Sequence, residues 1–360
     1  MKFEPMSLSE AKGKILGHNI AGPDGKRLLR KGRPLTDADL ENLRALGRTS
    51  VYVARMEEDD VDENTAARRV AEAARGPGLH TPGVSYGRAN LLSNEAGLLR
   101  VDVERLARLN ECNGITLATF QNHSPVRARQ IVATVKVIPY AVPESIVSEA
   151  EAVGNGGSPI VRVDALPSQS VGMILSGSTS IHQKLIADFS PLQERIEKLG
   201  SSVTRTDFVA LDDESNEAEL AEMLRGQIAA GIRMILLAGE TAIMDEQDII
   251  PRAIERAGGR VESVGAPVDP GNLLMLAYIG DVAIVGAPGC ARSRKINIVD
   301  WILPRLLAGD RLTRRDIVEL GHGGLLQDVW ERGLPREVKE DDPDKNTESE
   351  STTEAITSSG

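Results

Sequence analysis

From Val171 onward the apolar residues change their period in a regular way. The run Val171-Gly172-Met173-Ile174-Leu175 reads as a strand, and it gives way to Leu185, Ile186, Phe189, Leu192, Ile196 and Leu199, mostly three or four apart as on one helix face. A strand-like stretch near Val203 to Leu211, a helical stretch from about Asn216 to Ala230 and the apolar run Met234-Ile235-Leu236-Leu237 repeat that alternation. A further helical pattern starts near Ile249, Val282-Ala283-Ile284-Val285 reads as another strand, and Trp301, Ile302, Leu306 and Leu307 mark a closing helix. Strands alternating with helices predict β-α-β crossovers, and so a largely parallel sheet with helices on both faces. The predicted fold class is α/β, a three-layer α/β/α domain over residues 160–312, preceded by a smaller α+β N-terminal region.

The first half is less regular. Residues 1–55 alternate short apolar runs with turn signals, then give a helix-like stretch from Asp37 to Gly47, with Thr36 as its N-cap, and the strand Val51-Tyr52-Val53-Ala54. Residues 56–87 open on Glu57-Glu58-Asp59-Asp60, continue as an Ala/Arg/Glu helix and end in Gly76-Pro77-Gly78, Pro82-Gly83 and Gly87, predicting an acidic helix and a linker. Residues 88–153 hold β-leaning runs, Gly114 to Thr119 and Gln130 to Pro139, around a short helical pattern at Val103 to Leu109, which predicts a small β-rich α+β unit. Gly154-Asn155-Gly156-Gly157-Ser158-Pro159 marks a second boundary. Residues 313–336 read as a C-terminal extension, and 337–360, rich in Asp, Glu, Ser and Thr, as a disordered acidic tail.

The candidate chemistry lies in the turns that follow the apolar runs. In an open α/β sheet, ligands bind beyond the carboxyl ends of the strands, so the turns after Leu175, Leu237 and Val285 are expected to converge on one crevice. The first, Ser176-Gly177-Ser178-Thr179-Ser180, offers hydroxyl and backbone N–H groups to a phosphate; the plain alternative is a helix N-cap with a turn. The second, Ala238-Gly239-Glu240-Thr241 running to Asp245 and Asp248, sets a small residue, a hydroxyl and two carboxylates before a helix start, which suits a phosphate and its metal ion. Asp248, three residues before Pro251, is equally placed to be a cap. Two further turns are rich in Pro and Gly: Gly265-Ala266-Pro267-Val268-Asp269-Pro270-Gly271-Asn272 and Gly286-Ala287-Pro288-Gly289-Cys290-Ala291-Arg292-Ser293. Arg292 and Lys295 make a basic spot that suits a pyrophosphate or terminal phosphate, against the plain reading of a solvated cationic face. Cys290 reads as a packing residue, and His182 and His322 as structural or surface residues.

At these turns the chain resembles the molybdopterin-binding domain of molybdenum cofactor biosynthesis, shared by molybdopterin adenylyltransferases and molybdopterin molybdenumtransferases. The segments Val268 to Asn272 and Gly286 to Ser293 resemble more narrowly a bacterial branch of molybdopterin-binding proteins, part of which carries a fused cytidylyltransferase-like domain that this chain lacks. The resemblance covers roughly residues 165–312. It implies a ligand, molybdopterin or its adenylylated or molybdenum-loaded form, with Mg²⁺ held by Asp245 or Asp248. Spacing from the proline favours Asp248 as the catalytic aspartate, and spacing from Gly239 favours Asp245. The implied ligand-binding set is Ser176, Gly177, Ser178, Thr179, Ser180, Gly239, Glu240, Thr241, Asp269, Asn272, Pro288, Gly289, Arg292, Ser293 and Lys295.

Two departures stand out. The family's Gly-Gly-(Thr/Val)-(Gly/Ser) turn is here Ala238-Gly239-Glu240-Thr241, with an acid where a phosphate approaches, and its Pro-Gly-Asn-Pro turn is Pro288-Gly289-Cys290-Ala291. The resemblance implies either a transferase that inserts molybdenum or transfers an adenylyl group, or a non-catalytic carrier delivering to a nucleotidyltransferase or apo-molybdoenzyme, as a homo-oligomer in either case. A third reading keeps the fold and changes the ligand, as in competence-damage-type proteins that hydrolyse pyridine-nucleotide derivatives.

Composition narrows the partners. Of the net charge of −11, the stretch 337–360 contributes −6 through eight acidic and two basic residues, leaving the body mildly acidic at −5. That balance, with only 3% aromatic residues for base stacking, disfavours nucleic acid and anionic membranes. Two distant cysteines, Cys112 and Cys290, the absence of an apolar leader pattern and the absence of any long apolar run predict reduced thiols in a cytoplasmic protein.

Overall fold

The computed structural model describes residues 1–211 and 216–326. The acidic tail predicted at 337–360 and the later part of the 313–336 extension lie outside the described residues.

Near the N-terminus the strand Lys2–Ser7 pairs antiparallel with Ser50–Arg55, which also pairs with Ile15–Leu16. The predicted helix is Asp37–Ala45, and Thr36 caps it in a reciprocal box with Asp39, whose carboxylate accepts the Thr36 N–H at 2.9 Å. Leu16, Leu35, Leu40, Leu43, Val51 and Val53 close a small core of their own.

A second core spans residues 66–163. Helix Glu63–Ala74 buries Ala66, Ala67, Val70, Ala71 and Ala74 and packs on the strands Arg88–Ser93 and Ile131–Val137. The segment expected to end in a linker is therefore packed structure. Its buried face is mostly alanine, which gives little hydrophobic signal, and the Gly/Pro-rich stretch after it forms Leu79–His80 and Val84–Ser85, both paired with Arg88–Ser93. Helix Glu144–Asn155 was not anticipated from the sequence; it lies so close to Glu63–Ala74 that a Cβ on Gly154 would fall 2.7 Å from Ala73 Cβ. Val161–Ala165, expected beyond the glycine-rich boundary with the C-terminal domain, pairs instead with Gly97–Val101 in this unit.

The C-terminal unit confirms the α/β expectation. Its six strands run in the order Ser202–Val209, Ser170–Ser176, Met234–Gly239, Val282–Gly286, Met275–Ile279, Arg260–Val264. The first four are mutually parallel and only Met275–Ile279 runs against its neighbours. Side chains alternate between two cores, as the period of a strand requires. Val171, Met173, Leu175, Met234, Leu236 and Val285 face one side with Leu185, Leu192, Ile302 and Leu303. Ile174, Ile235, Leu237 and Ile284 face the other with Leu220, Leu224, Ala253 and Ile254. Helices thus cover both faces. The single helix expected after Leu175 is two, His182–Asp188 and Ser190–Lys198, because Pro191 has no N–H to continue the first and suits the first turn of the second.

This topology gathers the candidate turns. Ser176, Gly239 and Gly286 end adjacent parallel strands at one edge, and the reversed strand begins there with Met275 opposite Gly286, so the 265–274 connection joins them. Among the described residues no helix is long and apolar enough to cross a membrane.

Candidate functional site

Three turns are laced together at this edge. The Glu240 N–H donates to the Ser176 carbonyl at 2.8 Å, and a Cβ on Gly239 would come within 2.4 Å of Ser176 Oγ, so the two strand ends meet only because residue 239 is glycine. Ser178 then donates both its backbone N–H, at 2.9 Å, and its hydroxyl, at 2.7 Å, to Glu240 Oε2. Those two bonds, with favourable charge from Arg292 and Lys184, hold the Glu240 carboxyl below its ordinary range. The cap alternative for this turn does not form. Thr179–Ile181 is a single 3-10 turn that receives no side-chain cap from Ser178, whose hydroxyl is engaged by Glu240, while Thr179 and Ser180 are exposed.

Arg292 reaches across from the Pro-Gly turn. Its Nη2 donates to the Gly239 carbonyl at 2.5 Å and the Glu240 carbonyl at 3.4 Å, and its guanidinium lies 4.9 Å from the Phe189 ring centroid. Arg292 Nε is buried without a hydrogen-bond partner. Lys295 is exposed, with its N–H on Ser293 Oγ at 3.1 Å, while Pro288 is buried and Gly289 exposed.

The residues that hold this turn in place escaped the sequence reading. Buried Asn297 donates to the Cys290 and Lys295 carbonyls at 3.2 and 3.1 Å and accepts from the Val299 N–H at 3.0 Å. Arg195 binds Asp300 at 2.8 Å and the Lys295 carbonyl at 2.9 Å, and Asp300 in turn accepts the Asn297 N–H at 2.9 Å. The signal was an Asn followed three residues on by an acid just before an apolar run, the pattern of a helix start.

Both candidate aspartates help to build their own loop. Asp248 Oδ2 accepts the N–H groups of Met244 at 2.7 Å and Asp245 at 3.1 Å, and Asp245 Oδ1 accepts that of Gln247 at 2.8 Å. Asp248 stands at the N-cap of helix Ile249–Arg256 yet makes no cap bond from its side chain, which points back into the loop. Among the described residues no group of three His, Cys, Asp or Glu side chains could hold a metal ion. Each aspartate still keeps one oxygen outside these bonds. A Mg²⁺ ion commonly uses one or two carboxylates and completes its shell with water and substrate phosphate. The residues fit a metal that arrives with a phosphate ligand, and do not fit a cage made by the protein alone.

Thr241, Asp269 and Asn272 are exposed. The backbone of Asp269 is bound to the C-terminal extension, accepting from the Leu326 N–H at 2.7 Å and donating to the Gly324 carbonyl at 2.8 Å. Gly271, at φ 140°, packs so tightly on the neighbouring turn that a Cβ would fall 2.4 Å from Ile298 Cγ2. Burial pushes the Cys290 thiol up, away from a reactive thiolate. His182 stacks on Phe208, with centroids 4.2 Å apart.

With this geometry in view, a family model described as a domain of unknown function (DUF8806) matches residues 5–55. No curated protein matches the chain. Among solved structures the chain is similar to the molybdopterin biosynthesis moea protein from Pyrococcus horikosii, at 11% identity over 86% of this chain and 75% of that one, with a TM-score of 0.30. It is also similar to a molybdenum cofactor biosynthesis protein B, at 17% identity over 43% and 94% with a TM-score of 0.25, and to a NadC deletion mutant, at 13% over 48% and 69% with a TM-score of 0.16. At these values the similarities carry no argument about ligand or reaction, and the fold rests on the strand order itself.

Proposed function

We propose that the carboxyl edge of the sheet binds the phosphate-bearing end of a molybdopterin-type ligand, and that the protein carries such a ligand within molybdenum cofactor biosynthesis. The observation that carries this reading is the convergence of the Ser178 N–H and hydroxyl on one anionic oxygen, in the positive potential of Arg292 and Lys184. A phosphate oxygen matches Glu240 Oε2 in charge and in its capacity to accept both bonds, so Glu240 is the internal stand-in for the ligand. The turns Val268 to Asn272 and Gly286 to Ser293, through their resemblance, supply the ligand's class.

The Glu240 contact favours carriage over turnover. An incoming phosphate must displace a carboxylate already held by two hydrogen bonds, which weakens binding and eases release to a nucleotidyltransferase or apo-molybdoenzyme. Were the site to transfer a group, its contribution would be placement and charge neutralisation, with Asp245 or Asp248 meeting the metal that accompanies the phosphate.

The test is mass spectrometry of the protein purified from a molybdenum-replete host, comparing wild type with Ser178→Ala before and after Mg²⁺ and ATP. The expected result is a pterin on wild type, depleted in Ser178→Ala and chemically unchanged by nucleotide. Adenylylated or molybdenum-loaded product would replace the carrier with a transferase, and a complete lack of pterin would overturn the ligand class.

A further inference from the structure

A cleft of about 850 Å³ opens between the N-terminal unit and the unit that follows it, and none of its lining residues belongs to the carboxyl edge described above. Its volume is that of a small-molecule site. One wall comes from the segment matched as a domain of unknown function and its flanks, with Phe3, His18, Arg30 and Lys31; the other presents Tyr86, Lys136 and Tyr140.

Aromatic side chains are scarce in this chain, with four Phe and four Tyr, yet three of those eight line this one cleft. They do not serve as core: Phe3 is 41% and Tyr86 62% exposed. They are nonetheless held in place. Phe3 meets His18 edge-on at 5.2 Å, and Tyr140 is fixed by its hydroxyl, which donates to the Gly17 carbonyl at 3.0 Å.

Tyr86 is the most telling of them. It forms, with Gly87, the two-residue turn between Val84–Ser85 and Arg88–Ser93, and both turn residues have positive φ, 52° and 67°. Such a turn is best served by Asn-Gly, and a bulky side chain in the left-handed region is disfavoured. The turn therefore bears a conformational cost to project a phenol ring into the cleft. The Arg30 guanidinium lies 4.6 Å from the centroid of that ring, and Lys136 Nζ donates to the Tyr86 carbonyl at 2.9 Å, tying down the turn from both sides.

The charges in the cleft do not cancel. Lys136 is paired with Glu63 at 3.6 Å, whereas neither Arg30 nor Lys31 has a salt bridge among the described residues. Arg30 stands over an aromatic face and Lys31 lines the same cleft, in a chain whose net charge is −11. Flat rings recognise flat rings, and an arginine and a lysine recognise phosphate or carboxylate.

We propose that this cleft is a second ligand site, for a planar heteroaromatic anion of nucleotide size, with its ring against Tyr86 and Phe3 and its phosphate or carboxylate on Arg30 and Lys31. Mononucleotides and phosphorylated or carboxylated pterins share that chemistry. The site stands on different residues from the carboxyl edge and does not depend on the ligand proposed there.

The test is isothermal titration of the full chain with adenosine monophosphate, guanosine monophosphate and 6-carboxypterin, with adenosine and inorganic phosphate as controls. At least one of the three anions is expected to bind about ten-fold tighter than either control, and which one binds separates a nucleotide source from a pterin source. Arg30→Ala and Tyr86→Asn are each expected to weaken it about ten-fold. Because Asn-Gly suits the turn, Tyr86→Asn should melt no lower than wild type, so its loss of binding cannot be ascribed to misfolding. A signal lost in Ser178→Ala and kept in Arg30→Ala would belong to the carboxyl edge and would overturn the assignment to this cleft. The proposal fails if no heteroaromatic anion binds at millimolar concentration, if inorganic phosphate binds as well as the best of them, or if Tyr86→Asn binds like wild type.

Discussion

Ser178 commits both of its hydrogen-bond donors to a single oxygen of Glu240, so two turns sixty-two residues apart close on each other through one carboxylate. Removing that carboxylate frees the Ser178 N–H and hydroxyl, within reach of the positive charge of Arg292. Glu240→Ala is therefore expected to bind inorganic pyrophosphate about ten-fold more tightly than wild type. Adding Ser178→Ala should abolish the gain. Equal affinities for wild type and Glu240→Ala, measured by titration calorimetry, would remove Glu240 from the role of stand-in.

Arg100 joins two cores that the chain forms separately. From the strand Gly97–Val101 it reaches Asp310 with two nitrogens, at 2.7 and 2.8 Å, and Asp164 at 2.8 Å. Its side chain is only 12% exposed, so Arg100→Ala removes the shared partner of two half-buried carboxylates, leaving Asp310 to Arg305 at 3.2 Å and Asp164 to Arg162 at 2.9 Å. The expected loss is about 2 kcal/mol, below the cost of breaking a fully buried pair because the aspartates retain some water. Arg100→Lys should recover only part of it, since an ammonium cannot reproduce the paired geometry on Asp310. Urea denaturation checks both, and an Arg100→Ala midpoint equal to wild type would show that the bridge adds nothing.

Much of the C-terminal fold was legible because its central strands are buried on both faces and read as unbroken apolar runs, such as Met234 to Leu237. Residues 56–87 were harder, because the face that Glu63–Ala74 buries is mostly alanine and the turns after it look like linker while pairing with Arg88–Ser93. At the site, the position of three turns after predicted parallel strands placed Ser178, Glu240 and Arg292 on one edge, and the structure joins them by hydrogen bonds. Hydrogen bonds across a hundred residues, such as that from Arg195 to the Lys295 carbonyl, leave no local pattern to read. Nor could spacing show that Asp245 and Asp248 turn back onto the amides of their own loop.

Two glycines in adjoining turns should respond in opposite ways to an added methyl group. At Gly271 a Cβ would fall 2.4 Å from Ile298 Cγ2 and 3.2 Å from the Ile298 backbone nitrogen, at a φ of 140° that L-residues avoid. At Gly289 a Cβ would meet nothing within 4 Å. Gly271→Ala is expected to lower stability by about 2 kcal/mol or more, through overpacking and backbone strain together, and Gly289→Ala to stay within about 0.5 kcal/mol of wild type. Thermal melts of the two variants side by side decide the matter. A Gly271→Ala melt indistinguishable from that of Gly289→Ala would mean that the 265–274 turn is not clamped on Ile298.

His123 links stability to pH. It sits between the two large units beside Arg305, Arg100, Asp310 and Asp316, and burial first, then the two arginines, push its value down from 6.5 to about 4. Its folded value therefore lies below its unfolded one, and between about pH 6.5 and 4 the unfolded chain binds the extra proton. The stability associated with neutral His123 is fully present above that window and is lost progressively as pH falls through it. The neighbouring carboxylates titrate lower, Asp316 at about 2 and Asp310 below its ordinary value, so the upper part of the window belongs to the histidine. His123→Asn removes the titration while keeping a residue that tolerates the positive φ of 67°. Between pH 7 and pH 5 the melting temperature of wild type should drop by several degrees more than that of His123→Asn. Parallel decreases in the two proteins would show that His123 titrates alike in the folded and unfolded chains.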